Sequence, residues 1–186
     1  MKSILFASSN DKKYREVKSL LSHFDIDVQF VKKSLIEIQA ESLEIIALTK
    51  SNYAFLEIST PVIVEDDGLF IEVLNGFPGQ YSSFIFETIG NGGIIKLLQK
   101  SNSRHAFFKS VFAFNNGRNS LTFGGETRGT IARKLTKGGW GYDPIFIPHN
   151  SDLTFGILET RGEKDLFSHR AKALKKFGDW FSRHTS

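Results

Sequence analysis

The chain has 186 residues, 40% of them hydrophobic and 24% charged, which suits one domain with a real core, built as a single body or as two lobes. There are no cysteines, so disulfides and thiolate metal sites are excluded and the cytoplasm is the expected location. The net charge of +4 suits an anionic ligand, nucleotide or nucleic acid, and no apolar run is long enough to span a bilayer.

Met1 to Ala7 reads as a first strand, since its apolar part is too short for a signal peptide. Ser8-Ser9-Asn10-Asp11 follows, then Val17, Leu20, Leu21 and Phe24 at helical spacing, with Asn10 or Asp11 as N-cap. Val28 to Val31 is a second strand, and Leu43 to Leu56 a helix carrying Ile46, Ala47 and Ala54. Val62-Ile63-Val64 is a strand expected to stop at Glu65-Asp66-Asp67-Gly68, with a second apolar run from Leu69 to Leu74. Asn75-Gly76-Phe77-Pro78-Gly79 is turn chemistry, and Ile94, Ile95, Leu97 and Leu98 mark a short helix. Phe107 to Phe114 is a buried strand, Asn116-Gly117 a hairpin signal and Leu121 to Arg128 its partner. Lys134 to Gly141 is a basic, glycine-rich loop around Trp140. Ser168 caps a last helix that runs to His184 with Ala171, Leu174, Phe177 and Phe181 on one face. No repeat or linker divides the chain, so residues 1–186 form one α/β domain, a mixed sheet with flanking helices.

Five segments carry candidate chemistry. The carboxylates of Glu65, Asp66 and Asp67 repel one another at a strand end, which fits a hard divalent cation and a solvated turn equally well. Ser8, Ser9, Asn10 and Lys13 open a helix, where backbone N–H groups suit phosphate oxygens; read alone they are a cap with surface lysines. Glu37 and Glu41 precede a helix N-terminus, which favours acids, and either offers a further carboxylate to a metal. Glycines flanking Trp140 let backbone and indole approach a flat ligand, or form a hydrophobic plug, and Pro144 biases Asp143 toward an extended backbone that aims its carboxylate. His169 and Arg170 sit in a first helical turn, where the dipole disfavours cations unless an anion lies beside them.

In order, the motifs Ser9-Asn10 with Lys13 and Glu16, Glu65-Asp66-Asp67-Gly68-Leu69, Gly76 to Ser82, Trp140 to Pro144 and Ser168-His169-Arg170 resemble the inosine/xanthosine triphosphate pyrophosphatase family, from Phe6 to the last helix. The resemblance implies an elongated, mixed, twisted sheet flanked by helices, in two lobes with a central cleft. It also implies a homodimer that splits non-canonical purine triphosphates (XTP, ITP, dITP) into monophosphate and pyrophosphate with Mg²⁺. By the same resemblance Asp66 activates water and, with Glu37, holds magnesium, while Ser8, Ser9, Asn10 and Lys13 hold the triphosphate. Trp140, Gly141, Tyr142, Asp143, Lys164, His169 and Arg170 contact the nucleotide. Lys13 and Lys164 stabilise phosphate charge, and Arg170, which has donors only, favours a 6-carbonyl over adenine's amino group.

The sequence departs from the family at four places: Asp67 for Ser or Thr, Trp140 for Phe, Asp165 for Asn, and an extra residue between Thr154 and Thr160. Asp67 adds negative charge beside the phosphates, where it serves the substrate or the metal. Neither a membrane nor nucleic acid is expected as a partner. The competing readings are a related pyrophosphatase for modified pyrimidine or methylated nucleotides, and a non-catalytic nucleotide or nucleic-acid binder using the basic loop Arg133 to Lys137.

Overall fold

The computed structural model describes residues 2–184, so Met1, included in the expected first strand, lies outside the described residues, as do the last two positions of the expected 1–186 domain. The chain divides into two compact units. The first comprises residues to Asp66, Ser110–Gly125 and the segment from Arg170, and the second Asp67–Lys109 and Glu126–His169.

The strands are β1 (Lys2–Ser8), β2 (Ile26–Lys32), β3 (Val62–Ile71), β4 (Pro78–Gly79), β5 (His105–Asn115), β6 (Ser120–Ile131) and β7 (Phe146–Pro148). The helices are α1 (Asp11–Ser22), α2 (Leu43–Ile58), α3 (Ser82–Thr88), α4 (Gly90–Leu97), α5 (Phe155–Thr160) and α6 (His169–His184). The strands form one mixed sheet in the order β2-β1-β3-β5-β6-β7, with β4 paired to β3. β1 runs parallel to both β2 and β3, whereas β4 and β7 are antiparallel to their partners. This is the expected α/β class. No helix among the described residues is long and apolar enough to cross a membrane.

In the first unit the apolar stripe of α1 (Val17, Leu20, Leu21) and that of α6 (Ala173, Leu174, Phe177, Phe181) join Phe6, Ile63, Phe112 and Phe114 from the strands. Each of the larger buried side chains, valine, leucine, isoleucine or phenylalanine, contributes roughly 1.5–3 kcal/mol. The rings of Phe114, Phe123, Phe177 and Trp180 meet edge-on or tilted, with centroids 5.1–6.3 Å apart. The second unit has its own core around Leu69, Ile71, Ile94, Phe108, Phe146 and Phe155. There Arg104 is buried and donates to the carbonyls of Ile131, Leu98 and Ala132 at 2.7–2.8 Å, and burial lowers its pKa.

One expectation about the elements is corrected. β3 does not stop at the acids but runs unbroken through Glu65, Asp66 and Asp67 to Ile71. Successive strand side chains point to opposite faces. The first two acids therefore part, each toward cations brought by other elements, and their repulsion gives no reason to leave the sheet. Gly68 continues the strand where any Cβ would stand 2.4 Å from the Gly79 carbonyl oxygen, so the β3–β4 approach requires glycine.

Candidate active site

The clearest chemical feature of the first unit is a buried ammonium. Lys50 lies on α2 in line with Leu43, Ala47 and Ala54, on the helix's buried face. Its Nζ contacts Glu37 Oε1 at 2.6 Å, Asp66 Oδ1 at 3.0 Å and the Glu65 carbonyl oxygen at 3.2 Å. The Lys50 side chain is 7% exposed, Asp66 12% and Glu37 62%. Glu37 comes from the irregular segment between β2 and α2, and Asp66 from the middle of β3. The two expected metal ligands are thus brought to one cation. Two convergent carboxylates, one of them well exposed, form a hard oxygen donor set, and magnesium characteristically takes one or two protein carboxylates with substrate phosphates. Glu37 and Asp66 supply two such donors, and among the described residues no group of three or more acids or histidines is gathered to hold a metal, so substrate or water would complete the set.

The phosphate segment ends β1 and opens α1. Asn10 is the N-cap, and its Oδ1 accepts from the backbone N–H groups of Lys12 at 2.9 Å and Lys13 at 3.2 Å. The Asn10 backbone N–H itself donates to Ser8 Oγ at 3.1 Å. The Lys12 and Lys13 amides of the first turn therefore serve the cap rather than an incoming phosphate. β1 and β3 pair in parallel as Leu5 with Val62 and Phe6 with Ile63. Continued two residues, that register sets Ser8 level with Glu65, at the carboxyl end of β1, where open α/β sheets bind ligands.

Glu65 is the second centre of the first unit. Its side chain is fully buried. Oε1 accepts from Ser110 Oγ on β5 at 2.6 Å and from Arg170 Nε on α6 at 2.8 Å, and Lys13 Nζ stands 3.5 Å from Oε2. Arg170, also buried, uses Nη1 to bind Glu16 of α1. Glu16 and Glu65 are the anions whose presence beside Arg170 the helix-dipole argument required.

In the second unit Asp143 Oδ2 accepts from the backbone N–H of Trp140 at 3.0 Å and from Lys164 Nζ at 2.8 Å. Lys164 is 3% exposed, with Nζ 5.8 Å from the Trp140 ring centroid and 5.9 Å from that of Phe155, and 3.7 Å from Glu159 Oε2. The carboxylate of Asp143 thus ties the indole loop to a cation that faces two rings. Gly139 has φ +67°, and a Cβ there would lie 2.7 Å from Asp143 Oδ2, so the loop closes on Asp143 only with glycine. Gly141, at φ +58°, accepts from Asn91 Nδ2 at 2.9 Å. Tyr142 is buried, its hydroxyl donates to the Ser82 carbonyl at 2.9 Å, and burial pushes its phenol pKa well above the ordinary value. His169 stacks on Phe108 at 4.6 Å and 8°, with Nε2 4.0 Å from Asp67 Oδ2.

Asp66, Glu37, Ser8, Ser9, Asn10, Lys13 and Arg170 belong to the first unit, and Asp67, Trp140, Gly141, Tyr142, Asp143, Lys164 and His169 to the second. Sequence reasoning missed Lys50, Ser110 and the part played by Glu65. Lys50 had a signal: a lysine on the apolar stripe of a helix, where an unpaired charge is costly, implies buried acids opposite.

A model of the Ham1 family matches residues 4–180. The chain is 45% identical over 183 residues to the dITP/XTP pyrophosphatase of Korarchaeum cryptofilum, covering 98% of both chains. It is 46% identical over 185 residues to the dITP/XTP pyrophosphatase of Methanopyrus kandleri, again covering 98% of both. Among solved structures it is similar to a HAM1 protein from Coxiella burnetii, with a TM-score of 0.83 at 28% identity, covering 98% of this chain and all of that one.

Proposed function

The chain belongs to the Ham1 family, and on that premise we propose that it hydrolyses non-canonical purine nucleoside triphosphates, ITP, dITP and XTP, to the monophosphate and pyrophosphate. The observation that carries the mechanism is the meeting of Glu37 and Asp66 on the buried Lys50 ammonium. Magnesium held by Glu37 and Asp66 would neutralise phosphate charge and improve pyrophosphate as a leaving group. Asp66 takes the proton of the attacking water, whose oxygen forms the new bond to the α-phosphorus as the bond to the bridging oxygen breaks. Lys50, 3.0 Å from Oδ1, aims the Asp66 carboxylate.

Ser8, Ser9, Asn10 and Lys13 bind the triphosphate, with the Lys13 ammonium stabilising charge on the phosphate oxygens. Trp140, Gly141, Tyr142 and Asp143 form the face for the base, and Lys164, His169 and Arg170 supply donors on the nucleotide side. A 6-carbonyl satisfies such donors, and adenine's amino group opposes them. Asp67, in place of the family's hydroxyl, acts through His169, which it faces at 4.0 Å.

The protein works as a homodimer in the cytoplasm. Exposed apolar side chains on and beside α3 and α4, among them Tyr81, Phe84, Ile89 and Leu97, support the dimer. The test is product analysis with Mg²⁺ on XTP, ITP, GTP and ATP. Pyrophosphate should appear rapidly with the first two, and Asp66→Asn should abolish it while leaving the fold intact. Full turnover by that variant would refute the assignment.

A further inference from the structure

In the second unit, α4 starts from residues that do little for a helix. It opens with Gly90-Asn91-Gly92-Gly93, has no side-chain cap, and Gly90 has φ +60°. Glycine and asparagine are poor helix formers. Asn91 is unfavourable for a second reason. Its Oδ1 is buried and has no hydrogen-bond partner among the described residues. A buried polar atom left unpaired destabilises a fold and calls for an explanation.

The other end of the same amide supplies one. Asn91 Nδ2 donates to the Gly141 carbonyl at 2.9 Å, 50 residues along the chain. Gly141 lies in the loop assigned to the base, and both its neighbours are tied down. The Trp140 N–H donates to Asp143 Oδ2 at 3.0 Å. The Tyr142 hydroxyl donates to the Ser82 carbonyl of α3 at 2.9 Å, and the Phe86 ring of α3 meets the Tyr142 ring edge-on with centroids 5.4 Å apart. Ser82 is fixed in turn, since its Oγ donates to the Gly79 carbonyl at 2.6 Å and accepts from the Leu69 N–H at 2.8 Å. Gly141 has no side chain to anchor it, and its φ of +58° lies where glycine is freest. The Asn91 bond fixes its carbonyl instead. The Gly141–Tyr142 peptide is trans, so its C=O and N–H leave from opposite edges. A carbonyl drawn toward α4 turns the Tyr142 N–H away from α4.

We propose that Asn91 is a positioning residue for the nucleobase: by holding the Gly141 carbonyl it sets the plane of the Gly141–Tyr142 peptide and presents the N–H edge of that peptide to the base. This rests on the pyrophosphatase reading given above. A purely structural Asn91 could be exchanged for an apolar side chain without loss of nucleotide binding; a positioning Asn91 could not.

The experiment measures kcat and KM for ITP with Mg²⁺, and melting temperature, for the wild type, Asn91→Leu and Asn91→Asp. Leucine has the branched shape of asparagine and removes the donor and the unpaired oxygen together. Asn91→Leu should melt within about 4 °C of the wild type, the shift of one modest interaction in a chain of this size. Its KM should rise about threefold to tenfold, the scale of one lost hydrogen bond. Its kcat should change by less than KM does, the pattern of lost binding. Asn91→Asp keeps the shape but sets a carboxylate oxygen against the Gly141 carbonyl, acceptor to acceptor, and should raise KM beyond the Asn91→Leu value. An Asn91→Leu KM within about twofold of the wild type, a fall in kcat larger than the rise in KM, or an Asn91→Asp KM no higher than that of Asn91→Leu would each overturn the proposal. If Asn91→Leu does not fold, Asn91→Ala, which puts the best helix former in its place, carries the same expectations. A wild type that releases no pyrophosphate from ITP fails the underlying reading, and the proposal with it; an active wild type beside an unaltered Asn91→Leu fails the proposal alone.

Discussion

Replacing Lys50 with methionine separates the function of the buried ammonium from its packing. Methionine matches the length and apolar stem of lysine and removes only the charge. The Nζ contacts two carboxylates and one carbonyl at 2.6–3.2 Å. Truncating one partner of a buried ion pair costs about 3–5 kcal/mol, and a surface pair about 0–1 kcal/mol. Glu37 is 62% exposed and regains water, so only the Asp66 side carries the buried cost, and the lower end, ~3 kcal/mol, applies. For a chain of this size that lowers the melting temperature by roughly 6–12 °C. Activity should suffer more than stability. If Lys50 aims Asp66 at the water, kcat for ITP should fall by about 10²–10⁴, the scale of a lost general base. Calorimetry and a coupled pyrophosphate assay below the variant's melting temperature read both. A folded Lys50→Met with kcat within a factor of about 3 of wild type, well inside the general-base scale, would refute the reasoning.

Two further substitutions probe the second unit. Gly139→Ala forces a Cβ against Asp143 at a φ of +67°, so the carboxylate that holds Lys164 and the Trp140 amide must move. KM for ITP should rise about tenfold with little change in the melting temperature, as expected for a distorted contact loop; steady-state kinetics checks it. Tyr142→Phe removes the hydrogen bond to the Ser82 carbonyl and should cost about 1–3 kcal/mol near neutral pH. The folded phenol pKa is raised by burial, so the unfolded chain loses this proton first as pH rises. Its contribution is therefore complete below the unfolded value, about 10, and declines above it. Melting curves from pH 8 to 11 should fall less steeply for Tyr142→Phe than for the wild type.

Much of the first unit was legible because local signals and tertiary packing agree there. Asn10 caps α1 as its chemistry predicts, and the stripe Val17, Leu20 and Leu21 is buried. Leu174, Phe177 and Phe181 of the expected α6 stripe are buried as well, whereas Ala171 is only partly buried and Ala173 takes a place in the core; the helix begins at His169, with Ser168 just before it. The hairpin at Asn116-Gly117 forms, with the Asn116 N–H donating to the Asn119 carbonyl. α3, β7 and α5, of seven, three and six residues, were not read, because segments so short show no usable period.

The error at β3 has a different origin. Three adjacent acids look like a turn when only neighbours in sequence are considered, and the cations that keep Glu65 and Asp66 in the strand, Lys13, Lys50 and Arg170, come from three helices. The same distance in sequence hid Ser110, an unremarkable serine in an aromatic strand that bonds Glu65. Candidate residues were legible one by one; their grouping around two carboxylates was not, since grouping is a property of topology.

Hydrolysis of ITP in ¹⁸O-labelled water with Mg²⁺, followed by mass spectrometry of both products, tests the central claim most directly. Attack at the α-phosphorus assisted by Asp66 places one label in the monophosphate and none in the pyrophosphate. Label in the pyrophosphate, or release of inorganic phosphate in its place, would contradict it.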